Sequence, residues 1–449
     1  MYVAIVLILG SLLLVSSPAA GQTTRSPSPR PITLREAVEL ALQRNHVVRL
    51  AGLEVEEHEH LKDLTRSAYF PSVRNDTNAS HVSDTQLIEI PAGGLGAAGS
   101  SLIPPQPLII NQGGLTFASS GFGIVQPLTQ LLKIKAANDV ARAALDGSRG
   151  KAQRTANDIA LDVHRLYYRI LIAEAQRSAI LAKVEASDNV QRERVQLVKY
   201  GSALEAELIE SRAQSLQAKQ ELLSNDLQLT DLHMQFNDAI GLPLGTAVVL
   251  DPAVADAPEG CAREACMTIA LESHPEIAEA RATVEKAEAA VRLAQYDYVP
   301  DVEAYARYSF QNNVPFLAGN FATVGIHLTY ELFDGGKRRA HVAARRAQLA
   351  QARENLARLR DEVELRVSTA YNKLERTRQM VAVSQELVTL RGESRRVASE
   401  QLTRGTALRS LAATSLAQEL DAKALLLQSR LDYVQAAAEL DQATGRTPR

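Results

Sequence analysis

Apolar residues recur at threes and fours through most of this chain and at twos in short stretches, and these two periods divide it into helices and strands. Thr33-Leu34-Arg35-Glu36 opens the helical pattern as a capping box, in which a Thr side chain and a Glu three residues on satisfy each other's free amides. Leu34, Val38, Ala41 and Leu42 then repeat at helical spacing up to Asn45-His46. A second helical run, Leu50 to Ala68, ends at Tyr69-Phe70-Pro71, where the proline stops it. The same order returns later in the chain. A helix runs to Ser273, His274-Pro275 restarts it, and a further helix reaches about Tyr298 before Pro300.

After each of these prolines the period changes from 3.6 to 2. Val302, Ala304, Ala306 and Tyr308 alternate with Glu303, Tyr305 and Arg307, and a return strand, Ala322 to Phe333, follows a turn region at Asn312 to Asn320. Two strands per copy give four in the chain. Long helices come next. From Gly336 to about Leu402 there is no proline, and Leu356, Leu359, Val363, Val367, Ala370 and Leu374 recur at threes and fours. Some 65 residues of helix make a rod on the order of 100 Å, a length that points to coiled-coil packing. The first copy matches from about Leu131 to Lys199, with Gly147 and Gly150 expected to weaken it locally. Each rod ends at a glycine, in Tyr200-Gly201-Ser202 or Arg404-Gly405-Thr406, and a second amphipathic helix returns to Gly241 or Gly445. The tip glycines read as left-handed helix terminators, and Ser202 and Thr406 as caps of the returning helices.

The chain is a tandem duplication. Gly201 and Gly405, Gly241 and Gly445, Tyr167 and Tyr371, and Gly121 and Gly325 are each 204 residues apart. Upstream, Ala41-Leu42 matches Ala270-Leu271 and Pro71 matches Pro300 at an offset of 229. The difference of 25 residues is an insertion in the first copy between Pro71 and Gly121, of surface-loop composition and centred on about 86–113. A period near 200 is far beyond the roughly 20 to 50 residues of a solenoid unit, so each copy is a substantial unit in itself. The expected division is a signal peptide at 1–21, a first repeat at 22–245 and a second at 246–449. In the first repeat a β-hairpin lies at about 72–127 and a helical hairpin at about 131–240; in the second they lie at about 301–333 and 336–445.

Composition refines this picture at a few points. The 449 residues are 46% apolar and 22% charged with a net charge of −3, so no basic excess points to nucleic acid. Val3 to Val15 is an apolar run too short to span a bilayer, followed by small residues before Gln22, which reads as a cleaved export signal. A membrane location is then possible only as a barrel. Thirteen of the 20 aromatics (8 Phe, 12 Tyr) fall within 69–127 and 296–333, which favours strands at a membrane interface over strands in general. The only cysteines, Cys261 and Cys266, are either a short-range disulfide formed after export or two small apolar residues at a helix start. Glu56-Glu57-His58-Glu59-His60 reads as a solvated helix face, because residues two apart on a helix point in different directions. Asp334-Gly335-Gly336-Lys337 lacks the earlier glycine of a phosphate loop, that position being Glu331. No catalytic residue, metal site or cofactor site is expected.

Four membrane strands cannot close a barrel alone, and an open edge in lipid leaves backbone groups unsatisfied. Two copies give eight strands and a filled interior; three give twelve, wide enough for a lumen. At this point the pattern resembles the TolC-like outer-membrane efflux proteins over nearly the whole mature chain. The residues that carry the resemblance are the paired openings Leu34 to Leu42 and Ile269 to Pro275, the prolines Pro71 and Pro300, Glu331-Leu332-Phe333-Asp334-Gly335-Gly336, and the tip glycines Gly201 and Gly405. The fold implied is mainly α with a β-barrel part: duplicated long helical hairpins forming a tunnel, and four strands per chain in a homotrimeric twelve-stranded outer-membrane barrel. The resemblance further implies a passive export duct, with the tips Tyr200, Gly201, Ser202, Arg404, Gly405 and Thr406 meeting a periplasmic adaptor and, through it, an inner-membrane transporter. Family members often narrow the entrance with acidic side chains near the second tip. Here that neighbourhood holds Arg395, Arg396, Glu400 and Arg404, so an entrance with little affinity for divalent cations is expected. Two other functions fit the same export signal: a periplasmic coiled-coil scaffold without a pore, and a surface-associated binding protein working through the insertion.

Overall fold

The computed structural model describes residues 31–84, 87–111, 115–252, 261–312 and 318–448. The expected signal segment, 1–21, lies outside them. β1 (Pro31–Ile32) leads into α1 (Leu34–Arg44), whose start carries the Thr33–Glu36 capping box, with Glu36 N–H donating to Thr33 Oγ1 and Thr33 N–H to Glu36 Oε2. Asn45 breaks the helix and caps α2 (His46–Ser67) by accepting from Val47 N–H. β2 (Ser72–His81) follows Pro71. The insertion forms two small antiparallel pairs, β3 (Leu87–Ile90) with β6 (Leu108–Asn111) and β4 (Ala97–Ala98) with β5 (Ser101–Leu102). β7 (Thr116–Pro127) returns and runs into α3 (Gln130–Lys199), which turns back as α4 (Glu205–Ala239). β8 (Val249–Leu250) pairs in parallel with β1 and closes the first copy.

The second copy repeats this order: α5 (Arg263–Ser273), α6 (Pro275–Gln295), one 3₁₀ turn, β9 (Asp301–Asn312), β10 (Asn320–Thr329), α7 (Lys337–Thr403) and α8 (Arg409–Ala443). His274 takes the place of Asn45, its Nδ1 accepting from Glu276 N–H at the start of α6. The offsets hold to the residue: α1 and α5 start 229 apart, α4 and α8 204 apart. The return strand of the second copy is shifted from its expected 322–333 to Asn320–Thr329, because Asp334 and the left-handed Gly335 and Gly336 set up the start of α7.

The arms of each helical hairpin are unequal. α3 has 70 residues and α7 67, on the order of 100 Å, whereas α4 and α8 have 35 each, about 50 Å. The remainder of each long helix is covered by the short helix of its own copy, α2 on α3 and α6 on α7, and α3 is further covered by α6 and α8 of the second copy. This corrects the reading of Gly147 and Gly150 as weak points, since α3 runs through both without interruption. A Cβ at Gly150 would lie 3.1 Å from Glu279 N and 3.2 Å from Pro275 O, so the glycine lets α6 approach.

Two related cores sit where the short helices meet the long ones. The first gathers Ala37 and Ala41 of α1, Val163 and Tyr167 of α3, and Leu232 and Phe236 of α4; the second gathers Cys266 and Ala270, Val363 and Val367, and Ala436 and Leu440. Most of these are equivalents at the two offsets. Gly241 and Gly445 have φ of 70° and 85°, and a Cβ there would strike Arg44 and His274, so each ends its return helix against the corner between the two short ones.

Candidate functional site: hairpin tips, a two-faced sheet and open edges

Both tips are built alike. Gly201 (φ 70°) and Gly405 (φ 73°) take the left-handed conformation after the last helical turn, with Ser202 N–H donating to Leu197 O and Thr406 N–H to Gln401 O. Tyr200 stands beside the first glycine, 75% exposed. Ser202 and Thr406 do not cap the returning helices. Those begin three residues later, at Glu205 and Arg409, with Leu204 and Leu408 in the cap position, and the Thr406 hydroxyl donates back to Gln401 O of α7. The missing cap of α8 comes from the other hairpin: Glu193 Oε1 of α3 accepts from Ser410 N–H at 3.0 Å. Sequence reasoning missed this tether, since nothing in the order of residues brings position 193 beside 410. Tyr200 lines one groove with Glu193, Gln196, Leu408 and Arg409, whereas Arg404, Gly405 and Thr406 stand apart from it.

Behind the second tip the arginines are matched by carboxylates. Arg396 pairs with Glu393 at 2.6 Å and Glu400 at 2.5 Å, and Arg404 reaches Glu400 at 3.7 Å. Arg395 crosses to α8 and meets Glu419 at 2.8 Å, and Lys423 holds the same carboxylate at 2.6 Å. Glu419 is 8% exposed, and its hydrogen bonds from Lys423 and then Arg395 hold it below the ordinary carboxylate range. On the first hairpin Asp188 accepts from Ser215 at 2.5 Å and Lys219 at 2.9 Å, linking α3 to α4 in the same way.

At the other end β2, β7, β9 and β10 form one antiparallel sheet in the order β10-β9-β7-β2. Residues opposite each other in register share a face. One face carries Val73, Phe122, Ile124, Tyr308, Phe310, Val324, Ile326 and Leu328, all exposed. The opposite face carries Arg74, Asp76, Ser119, Glu303, Arg307 and His327, with Arg307 lying across Gly121 and Tyr305 across Gly325. Aliphatic and aromatic side chains on one surface and ions on the other suit a wall between lipid and water. No helix among the described residues is long and apolar enough to cross a membrane.

Both sides of this structure end openly. β2 and β10 each pair on one edge only. α4 exposes Ile209, Leu216 and Leu223 at seven-residue spacing, and α7 at the far side exposes Val383, Leu390 and Val397 at the same spacing. α2 adds Val47, Leu50 and Leu64. Seven-residue apolar stripes are coiled-coil seams.

A sequence profile described as outer membrane efflux protein matches residues 37–242 and 267–446, most of both copies. The chain belongs to the outer membrane efflux protein family. Its fold is that of solved outer-membrane channels. The Campylobacter jejuni CmeC outer membrane channel superposes with a TM-score of 0.75 at 15% identity, covering 92% of this chain and 85% of that one. The Vibrio cholerae outer membrane protein VceC gives 0.72 at 13% identity, covering 93% and 97%, and the open state of the Neisseria gonorrhoeae MtrE outer membrane channel gives 0.69 at 14%, covering 93% and 89%. No curated relative matches in sequence. A family of efflux proteins accounts for a chain whose distinctive geometry is a wall with two faces and two open edges; its members carry material and are not enzymes. Cys261 and Cys266 are bonded to each other at the start of α5, their Cα atoms 5.6 Å apart, at the rim of the second core.

Proposed function

We propose that three copies of this efflux protein close into a twelve-stranded outer-membrane barrel continued by a helical tunnel across the periplasm, and that the assembly is a passive duct for export. One observation carries the reading: the same chain that divides its sheet into an apolar and an ionic face leaves both edges of that sheet, and both flanks of its helices, open. An open edge is untenable in hydrocarbon, and a ring of identical copies removes it. The solved channels that share this fold support the placement in the outer membrane of a Gram-negative-type cell, reached after cleavage of the segment 1–21.

The tips around Tyr200-Gly201-Ser202 and Arg404-Gly405-Thr406 are then the periplasmic entrance and the contact for an adaptor that joins the duct to an inner-membrane transporter, as part of a tripartite efflux or type I secretion system. Energy and substrate choice rest with that transporter. The test is to purify the mature chain from outer membranes in mild detergent, measure its mass and reconstitute it in planar bilayers. A trimer with discrete conductance steps is expected. A water-soluble monomer or dimer without conductance refutes the duct and leaves a periplasmic helical scaffold.

A further inference from the structure

The duplication has already built one seam between copies inside the chain. In the first hairpin, β2 and β7 pair so that residue numbers add to 197, as Ser72 with Val125; in the second, β9 and β10 add to 630, as Phe310 with Asn320. The difference, 433, is 204 and 229 together, so both hairpins keep one register through the duplication. Between the hairpins β7 meets β9 with numbers that add to 430, from Ala118 with Asn312 to Pro127 with Glu303. Carrying β7 forward by 204 gives β10, and carrying β9 back by 229 gives β2. The same seam, moved to the open edges, adds to 405.

We propose that β10 of one copy pairs antiparallel with β2 of the next in this register, which sets Glu331 against Arg74 of the next copy. The inference rests on the trimeric reading above and specifies its joint. Two independent features agree with it. The register places Leu328 opposite Thr77 and Ile326 opposite Ala79, positions on the apolar-face side of both strands, and Thr329 opposite Asp76 and His327 opposite Asn78 on the ionic side; a slip of one residue would turn every side chain of one strand to the wrong face. A slip of two in one direction sets Glu331 against Asp76, two like charges directly opposite, and in the other direction leaves it against Ser72. Arg74 and Glu331 are both exposed, and neither side chain meets an opposite charge among the described residues. The helices extend the same logic. Inside the chain α3 is covered by α6 and α8, so between copies α7 is covered by α2 and α4, the helices that carry the open apolar stripes.

Cross-linking tests the register in the full-length chain. Leu128 N–H donates to Val302 O at the internal seam, which makes the pairs one residue either side the closely approached, non-hydrogen-bonded ones. His327→Cys combined with Asn78→Cys falls on such a pair. Within one chain these positions lie on opposite edges of the sheet, so oxidation by copper phenanthroline in outer-membrane vesicles yields a covalent ladder only between copies. The expected result is dimer and trimer bands on non-reducing gels, lost when His327→Cys is combined with Asp76→Cys or Ser80→Cys, where the sulfurs are two residues out of step. Arg74→Glu or Glu331→Arg alone lowers the temperature at which the trimer dissociates, and the two together restore it. A ladder from either displaced pair, or no ladder from a trimer that still conducts, overturns the register and leaves the duct intact. A parent chain that neither trimerises nor conducts overturns the reading beneath it.

Discussion

His164 is the group most exposed to acid in this fold, although no solvent touches it. It lies in α3 with zero exposure, its ring set edge-on to Tyr168 at 5.9 Å, and neither nitrogen has a hydrogen-bond partner. Burial lowers its pKa from 6.5 to about 4, with no charged neighbour contributing. The unfolded chain therefore binds a proton between pH 6.5 and 4 that the folded chain refuses. The stability held by the neutral ring is complete above pH 6.5 and is lost as the pH falls towards 4. The gap between 6.5 and about 4 corresponds to about 3 kcal/mol per chain. His164→Leu removes the titrating group together with a buried donor and acceptor that have no partner, a relief of about 1–3 kcal/mol at neutral pH. The assay compares thermal unfolding of parent and variant by far-ultraviolet circular dichroism in detergent at steps from pH 7.5 to 4.5. The variant is expected to melt higher throughout, by a margin that widens with acid; the carboxylates and the remaining histidines titrate in both proteins and cancel. A margin that stays constant across the range would refute the assignment.

Other consequences can be measured with the same preparation. Gly150→Ala improves helix propensity by about 1 kcal/mol but sets a Cβ 3.1 Å from backbone that cannot yield, so overpacking of about 1–3 kcal/mol should prevail and the melting temperature should fall. Glu419→Gln strips Arg395 and Lys423 of their shared carboxylate, and a looser α7–α8 contact near the tip should appear as raised conductance noise; because this carboxylate is held low by both cations, the parent should keep its quiet trace to below the usual carboxylate pKa and lose it only in stronger acid. Carboxylates near the second tip are occupied by Arg395, Arg396 and Arg404, so micromolar divalent cations should leave the single-channel current unchanged, and block at that level would contradict the pairing.

How much was legible depended on whether the determinant was local. The capping box at Thr33, the restart at His274-Pro275, the tip glycines and the alternation of Val302 to Tyr308 are set by residues within a turn or a pleat of each other, and each element forms where its residues place it. Ser202 and Thr406 misled because a hydroxyl beside a glycine suits either end of a turn, and the length of the turn decided it. Gly147 and Gly150 misled more instructively. Propensity sees only the cost of a missing side chain, whereas the helix that fills the space comes from more than 100 residues away. The Glu193 tether and the Arg395–Glu419–Lys423 cluster are tertiary in the same sense, and no periodicity announces them.

The internal seam and the proposed seam between chains differ in the polar contacts they can make, in a way that chain connectivity explains. The internal seam buries apolar side chains, with Leu427, Leu431 and Val434 of α8 in the first core, and adds polar contacts to them: Thr129 Oγ1 donates to Pro300 O at 2.7 Å, Lys133 meets Asp301 at 2.8 Å, and Arg154 meets Glu279 at 3.5 Å. The corresponding positions at the open flanks, by the same offsets, are Phe333 with Pro71, Lys337 with Ser72 and Arg358 with Leu50. Directional bonds suit partners that a covalent chain keeps within reach and that assemble once, during folding. Copies that must find each other by diffusion gain more from surface that is apolar and tolerant of approach angle, since its burial is favourable before alignment is complete. The stripes on α2, α4 and α7 have that character, and the single charge pair at Arg74 and Glu331 is then left to select among registers that the apolar surface alone does not distinguish.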